Sequence, residues 1–377
     1  MAGIYIHIPY CRQKCHYCNF HFSTSLKSKN DMLLAIQREL VLAKDYLHGA
    51  SIETVYLGGG TPSLLSPQEI QSIWHAITEN FPVTQLLEFT METNPDDLNS
   101  EYLALLRELT PVNRLSIGIQ SFRDEDLQYM NRAHNAEQAI KCIQLARESG
   151  FDNLTVDLIY GIPGLSNEAW RENLERVLQL QVPHVSAYAL TVEEGTALSY
   201  AIRKGKQSNI NDADAAAHFN ILLDLTASYG YLPYEISNLA LPGHEAVHNT
   251  NYWKGVPYLG IGPSAHSYNG HSRRWNVANN MQYIHTILQL DRIPYEEEQL
   301  TVTQQINEYI MTSLRTIWGC DLQYIHTQWG EVYVHKIMNA ASSYMKQQWL
   351  RKEQEKIVLT RSGKLFADAI AAELFVD

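Results

Sequence analysis

Three cysteines lie within eight residues near the start of the chain: Cys11, Cys15 and Cys18. Thiolates are soft ligands that suit zinc or the irons of an iron–sulfur cluster. A closed zinc site needs a fourth ligand, which three neighbouring histidines could supply: His7, His16 and His21. The last two cysteines also have the C-x-x-C spacing of a redox pair. The three-cysteine spacing favours a four-iron cluster, in which three protein ligands leave one iron open to a small molecule.

The cysteines follow the first of six predicted strands, which lie at residues 3–8, 54–57, 87–93, 114–119, 154–159 and 184–189. Helical patterns separate these strands, at residues 30–46, 67–78, 100–108, 136–148 and 168–178. Alternation of this kind indicates right-handed βαβ units and a parallel sheet. We therefore predict an α/β fold, a partial TIM-type (β/α)6 barrel whose functional residues lie at the carboxyl ends of the strands.

Several residues that could bind a ligand occupy those strand ends. The run Gly-Gly-Gly-Thr-Pro at 58–62 follows the second strand, and Glu92, Gln120 and Asp157 lie at or near the ends of later strands. Glycine allows the backbone to approach a ligand closely, and carboxylate or amide groups bind polar ligand atoms. Each of these residues taken alone also fits a structural role, such as a tight turn, an ion pair or a helix cap.

The second half of the chain differs in composition. A predicted helix at 212–229 leads into a stretch rich in Gly, Pro and Tyr at 231–270, and helices of another composition follow, with a final amphipathic segment at 362–375. We predict three parts: a barrel at residues 1–235, a linking region at 236–295, and a small, mainly helical, winged-helix-like domain at 296–377.

Composition and charge narrow the functional classes. The 377 residues include 29 Lys and Arg against 41 Asp and Glu, a net charge of −12. A surface this acidic repels phosphate backbones, and because the sequence has no basic stripe we expect no nucleic-acid partner. No apolar run is long enough to span a bilayer, and a clustered, odd set of five cysteines is typical of a reducing compartment. We therefore expect a cytoplasmic protein whose contact with a membrane, if it makes one, is peripheral.

The cysteine motif and the strand-end motifs together resemble the radical S-adenosylmethionine superfamily, in the branch related to oxygen-independent coproporphyrinogen III dehydrogenase. Besides the cysteines and the glycine run, the resemblance lies in the segments 92–95, 116–122, 131–132, 157–161 and 260–266. It implies a [4Fe–4S] cluster on the three cysteines, with S-adenosylmethionine at the open iron. It also implies a set of cofactor contacts: Tyr5, Tyr17, Gly59, Gly60, Thr61, Glu92, Gln120, Arg132, Asp157 and Ala189.

Two departures separate the chain from the dehydrogenase itself. Phe20 stands where the dehydrogenase has a fourth cysteine, and four residues precede Tyr5, where the dehydrogenase has a long N-terminal arm. Residues 248–253 instead have the pattern H-N-x-x-Y-W, which is similar to that of the heme chaperone HemW family, a paralogous group. We therefore predict a heme chaperone that does not carry out the dehydrogenase reaction.

The resemblance to the heme chaperones implies that the protein binds heme and passes it to an apo-hemoprotein of the respiratory chain. It is also compatible with a homodimer. Imidazole is a common axial ligand of heme iron, so His248 is the first candidate, with His244 and His266 as alternatives. The competing function is oxidative decarboxylation of coproporphyrinogen III, which needs cations for the substrate's carboxylates, and four candidates are Arg12, Lys14, Arg273 and Arg274. A tRNA-modifying radical enzyme ranks last because of the acidic charge.

Overall fold

The computed structural model describes the whole chain, residues 1–377. Six strands form the centre of its large sheet: β1 (Ala2–Ile8), β2 (Ile52–Gly59), β3 (Glu88–Thr93), β4 (Arg114–Gln120), β5 (Leu154–Tyr160) and β6 (His184–Ala189). The helices between them are α1 (Lys29–Leu42), α2 (Pro67–Asn80), α3 (Ser100–Leu109), α4 (Asp124–Tyr129), α5 (Ala136–Glu148) and α6 (Asn167–Gln179). Strands β1 to β6 pair in sequence order, each parallel to the next. The predicted α/β fold is confirmed.

Burial and capping explain why this alternation forms. Every residue of β4 is buried, and β1 and β5 each have only one residue that is not, as expected of parallel strands covered on both faces. Helix α2 begins with a capping box formed by Ser66 and Glu69, and α5 with one formed by Asn135 and Gln138, which satisfies the first free backbone N–H groups. Because the strands are parallel, their carboxyl ends meet at one edge of the sheet.

The region after β6 extends the sheet at both sides. It contains α7 (Ala197–Arg203), α8 (Asp212–Ser228), β7 (Leu232–Pro233), β8 (Asn238–Ala240), α9 (Val247–Trp253), β9 (Tyr258–Ile261), β10 (His266–Tyr268), β11 (Ser272–Asn276), α10 (Asn280–Leu290) and β12 (Tyr295–Gln299). Strand β9 pairs with β1 in parallel, whereas β8 pairs with β6 in antiparallel. The resulting sheet has 12 strands with β12 and β7 at its edges, so the barrel is open.

The last part of the chain packs around a core of its own. It contains α11 (Val302–Leu314), β13 (Cys320–Asp321), α12 (Leu322–Trp329), α13 (Glu331–Lys346), β14 (Leu350–Glu353), β15 (Lys356–Leu359) and α14 (Ala367–Glu373). Its three strands form a separate antiparallel sheet in the order β13-β15-β14. A hydrophobic cluster of 16 buried residues fills this part, beside a cluster of 61 in the barrel. The predicted domain boundaries at 235 and 295 stay predictions.

Several predicted boundaries shift. Helix α1 ends at Leu42 rather than at residue 46, and the predicted amphipathic segment at 362–375 divides into a 3-10 turn (Gly363–Phe366) and α14. The stretch rich in Gly, Pro and Tyr contains short strands that complete the sheet. None of the helices combines the length and the apolar composition needed to cross a membrane.

Candidate functional site

A cavity of about 1210 Å³ opens between the carboxyl ends of the strands and the C-terminal part of the chain. Tyr5, Gly59 and Glu92 line it on the strand side. Aromatic side chains make up much of the remaining wall: Phe20, Tyr252, Trp253, Tyr258, Tyr268, Tyr309, Trp318, Tyr324 and Trp329. The cavity is therefore large, has these nine aromatic side chains among the polar ones of its remaining wall, and is in contact with predicted cofactor residues on the strand side.

The cysteine loop lies directly beside this strand edge. Cys11, Cys15 and Cys18 are free thiols, and burial raises the pKa of Cys11 to about 11 and that of Cys18 above its ordinary value. Each of these two pKa values is raised further by the neighbouring cysteine charges, so the thiols lie close enough to interact. No three His, Cys, Asp or Glu side chains are gathered around a single metal-ion position. A four-iron cluster has a different requirement, because each cysteine binds a different iron.

The glycine run packs against the base of the cysteine loop. A Cβ on Gly59 would lie 2.3 Å from Nδ1 of His7, and one on Gly60 would lie 2.6 Å from the carbonyl oxygens of Ile8 and Tyr10. Gly59 also has a φ of 99°, which side-chain-bearing residues rarely adopt. A side chain at either position would therefore collide with the chain itself, so packing requires glycine at both. Gly59 also lines the cavity, and its role as a cofactor contact, like that of Gly60, stays a prediction.

Two carboxylates face each other across the strand ends. Glu92 Oε1 accepts a hydrogen bond from the hydroxyl of Tyr56 at 2.8 Å, and Oε2 accepts one from the N–H of Gly59 at 3.1 Å. Burial raises the pKa of Glu92 to about 7, and the nearby charge of Asp157 adds to this shift. Burial likewise raises the pKa of Asp157 to about 6, although Ser116 donates to both of its oxygens. A cationic ligand would favour the ionised form of both groups.

Arg132 reaches the same place from the loop after α4. It donates from Nη1 to the Cys15 thiol at 3.3 Å, and from Nη2 to Asn94 Oδ1 at 2.7 Å and to the carbonyl of Gly118 at 2.8 Å. Its Nε is buried with no partner. Gln120 ends β4 in a left-handed conformation, with φ 69°, which turns its amide toward Gly118. Asn94 was not among the predicted contacts, although it belongs to the 92–95 motif.

The remaining predicted contacts lie around this centre. The Tyr5 hydroxyl is hydrogen-bonded to Nδ1 of His7 at 3.1 Å, and Thr61 is buried, where it accepts a hydrogen bond from Asn94 at 3.2 Å. Burial raises the pKa of Tyr17, against the lowering effect of the nearby Arg132 guanidinium. Ala189 is exposed at the end of β6. The structure thus brings the predicted cofactor contacts to one edge of the sheet.

His248 is buried beside the cavity rather than exposed in its wall. The side chain is 1% exposed, its Nδ1 is hydrogen-bonded to Thr54 Oγ1 at 2.8 Å, and its Nε2 to the Tyr252 hydroxyl at 2.8 Å. Burial lowers the pKa of the imidazole to about 3, so the ring is neutral at physiological pH. Both ring nitrogens are hydrogen-bonded in this conformation, and heme ligation by His248 stays a prediction. Tyr252, which lines the cavity, covers Nε2.

The two alternative histidines differ in position. His266 lies in the cavity wall, where its ring stacks on Trp275 with centroids 6.3 Å apart. His244 is exposed on the loop before α9 and is not part of the cavity wall. Of the two, only His266 faces the space where a large ligand would fit.

Four cations are candidates for binding substrate carboxylates under the competing function: Arg12, Lys14, Arg273 and Arg274. Arg12 pairs with Asp97 at 2.9 Å, and Arg273 forms a bidentate ion pair with Glu308. Arg274 is buried between the rings of two tyrosines, 4.6 and 4.5 Å from their centroids. Lys14 lines a second, smaller cavity of about 470 Å³. None of these side chains is an unpaired cation in the large cavity.

Comparisons with known proteins agree with this geometry. The sequence pattern of the radical SAM superfamily matches residues 5–177. The chain is similar in fold to a coproporphyrinogen III oxidase, HemN, from Escherichia coli, with a TM-score of 0.82 and 24% identity, covering 100% of this chain and 90% of the other. At that identity the likeness concerns the fold alone.

Similarity in sequence extends over the full length of curated relatives. The heme chaperone HemW of Bacillus subtilis is 31% identical, with 98% of each chain covered. The heme chaperone HemW of Mycobacterium tuberculosis is 33% identical over 99% of this chain and 94% of the other. Superfamily membership implies a [4Fe–4S] cluster and S-adenosylmethionine as cofactors. This chain belongs to the HemW family of the radical SAM superfamily.

Proposed function

We propose that this protein binds heme in the large cavity and transfers it to an apo-hemoprotein. The observation that carries the proposal is the cavity of about 1210 Å³ with aromatic side chains over much of its wall. Flat aromatic rings pack well against other aromatic rings, by stacking or edge to face. The relatives named as heme chaperones match along almost the whole chain, which supports the same function here.

His248 is the iron ligand in this proposal, and Tyr252 controls access to it. Ligating histidines usually have their second ring nitrogen held by a hydrogen bond, which fixes the ring orientation. Thr54 holds Nδ1 of His248 in this way, which leaves Nε2 for the iron. Since Tyr252 both covers Nε2 and lines the cavity, movement of this one side chain joins the imidazole to the cavity. The low pKa of His248, about 3, keeps the ring in the neutral form that binds metal.

The cluster and S-adenosylmethionine belong to the strand side of the cavity. Cys11, Cys15 and Cys18 would hold the cluster, which when bound supplies an open iron for the amino and carboxylate groups of S-adenosylmethionine. Glu92 and Asp157 would then bind the positively charged or hydroxyl groups of the cofactor. The unpartnered Nε of Arg132 supports this fit, because a buried donor without a partner is costly.

The acceptor in this proposal is a hemoprotein of the respiratory chain. Peripheral contact with the membrane and formation of a homodimer are further parts of the proposal. Flotation with lipid vesicles tests the membrane contact, and sedimentation tests the dimer, each with and without heme.

Anaerobic titration of the cluster-reconstituted protein with heme, followed in the Soret band, tests the function. We expect saturable binding of one heme, weakened strongly in His248→Ala and little changed in His266→Ala, with His244→Ala as the matched control outside the cavity. Mixing the loaded protein with an apo-b-type cytochrome should then move the Soret spectrum to that of the acceptor. Absence of saturable binding, or steady formation of protoporphyrinogen from coproporphyrinogen III with S-adenosylmethionine and reductant, would overturn the proposal.

A further inference from the structure

Two lysines without acidic partners lie at one end of the large cavity. Lys254 and Lys356 both line the cavity, both are exposed, and neither takes part in any of the salt bridges of the molecule. The Nζ of Lys254 lies 4.6 Å from the centroid of the Trp318 ring, in the arrangement of a cation–π contact.

The two lysines reach the cavity from different elements. Lys254 directly follows α9, and its ammonium group lies over the ring of Trp318. Lys356 begins β15 and is the register partner of Asp321 on β13. Trp318, Lys254 and Lys356 all line the same cavity.

The acidic groups of the cavity form no ion pair with these lysines. Glu308 is held by Arg273 in a bidentate ion pair. Asp321 is the register partner of Lys356 and partly offsets its charge, but its carboxylate caps α12 by accepting a hydrogen bond from the N–H of Tyr324 at 3.0 Å. Glu92 lies at the strand side. Two lysines without an ion-pair partner therefore remain in the cavity wall.

We propose that Lys254 and Lys356 bind the two propionates of heme, so that the C-terminal domain forms one side of the heme site. This inference rests on the proposed function. Heme is a flat aromatic ring with two carboxylates on one edge, and the cavity offers aromatic side chains together with two lysines that have no ion-pair partner. Lys254 directly follows α9, the helix that contains His248, so one element holds both the proposed iron ligand and one proposed propionate partner.

Esterified heme separates the role of the charges from that of the aromatic wall. Iron protoporphyrin IX and its dimethyl ester have the same ring and iron, but the ester has no propionate charge. We would titrate both ligands into the wild type, Lys254→Gln, Lys356→Gln and the double variant. Lys204→Gln is the matched control, because Lys204 also lies over a tyrosine ring, that of Tyr200, but outside the cavity.

Each single substitution should weaken heme binding by up to about fivefold, as expected for one exposed ion pair, and leave binding of the dimethyl ester unchanged. The control should alter neither affinity. If the variants bind heme as tightly as the wild type, or lose affinity equally for heme and ester, the propionate assignment is overturned while heme binding stands. If the wild type binds neither porphyrin saturably, the proposed function fails and this inference fails with it.

Discussion

Removal of one hydroxyl group should make this protein bind heme more tightly. In Tyr252→Phe the Nε2 of His248 loses the hydrogen bond that covers it, of 2.8 Å, while the ring keeps its bond from Nδ1 to Thr54. The wild type must break the Tyr252 bond before Nε2 reaches iron, whereas the variant has no such bond to break. The affinity gain therefore measures the free energy that Tyr252 contributes to the unliganded state.

The size of the effect follows from the burial of the imidazole. His248 is 1% exposed, and a buried polar atom that loses its partner costs about 1–3 kcal/mol. The unliganded variant should be less stable to unfolding by that amount. Because the heme iron gives Nε2 a new partner, the variant recovers this lost stability when heme binds, and its heme affinity rises by the same free energy. A difference of 1 kcal/mol corresponds to about a fivefold gain in affinity.

Two measurements check the predicted loss of stability and the predicted gain in heme affinity. Denaturant unfolding of the unliganded protein gives the loss of stability, and Soret titration gives the affinity. Tyr258→Phe is the matched control, since this tyrosine also lines the cavity and packs edge-on against Tyr252 at 4.5 Å, without contacting His248. Thr54→Val should act in the opposite direction, because it removes the group that orients the ligand. Unchanged or weaker heme binding in a destabilised Tyr252→Phe protein would refute His248 as the ligand.

Three further predictions concern the strand side of the cavity. Replacement of Cys11, Cys15 and Cys18 by Ala should abolish the visible absorption of the reconstituted cluster while the far-UV circular dichroism stays unchanged, and retained iron would contradict the assignment. Asp157→Ala should weaken S-adenosylmethionine binding by calorimetry without loss of iron, and an unchanged affinity would remove Asp157 from the site. Burial raises the pKa of Glu92 to about 7, so between about pH 5 and pH 7 the folded state holds a proton that the unfolded state has lost. The free energy of unfolding should therefore fall by on the order of 2 kcal/mol as pH rises through this range. Glu92→Gln should flatten this fall.

The strands and the cysteine site follow from local patterns in the sequence. Each central strand is a short apolar run between helices, and the observed β6 matches the prediction residue for residue. Glu92, Gln120 and Asp157 could be predicted because parallel strands end at one edge. The 58–62 run is also apparent in the sequence, but the packing of Gly59 against His7 and of Gly60 against the loop backbone is something no local pattern reveals.

The heme side depends on contacts between distant parts of the chain. Thr54 lies 194 residues before His248, and Glu88, which accepts a hydrogen bond from the His248 N–H at 3.0 Å, lies 160 residues before it. The motif at 248–253 therefore indicates a family but not which atoms face the cavity. Lys356 could not be predicted for the same reason, since only the folded chain brings it into the same cavity wall as Lys254.

One side chain connects the cofactor side of the cavity to the proposed heme ligand. The Tyr56 hydroxyl donates to Glu92, and its ring stacks on His248 with centroids 5.3 Å apart and on Tyr5 at 6.0 Å. A cationic ligand beside Glu92 favours the ionised carboxylate, and a hydrogen bond to an ionised acceptor is about twice as strong as one to a neutral acceptor. The charge of Glu92 therefore determines how firmly Tyr56 is held, and Tyr56 forms one face of the packing around His248. We therefore expect heme affinity of the wild type, measured by Soret titration, to differ with and without S-adenosylmethionine. In Tyr56→Phe the ring still packs on His248 but the bond to Glu92 is lost, so this difference should disappear. Equal heme affinities in the wild type under both conditions would contradict the coupling.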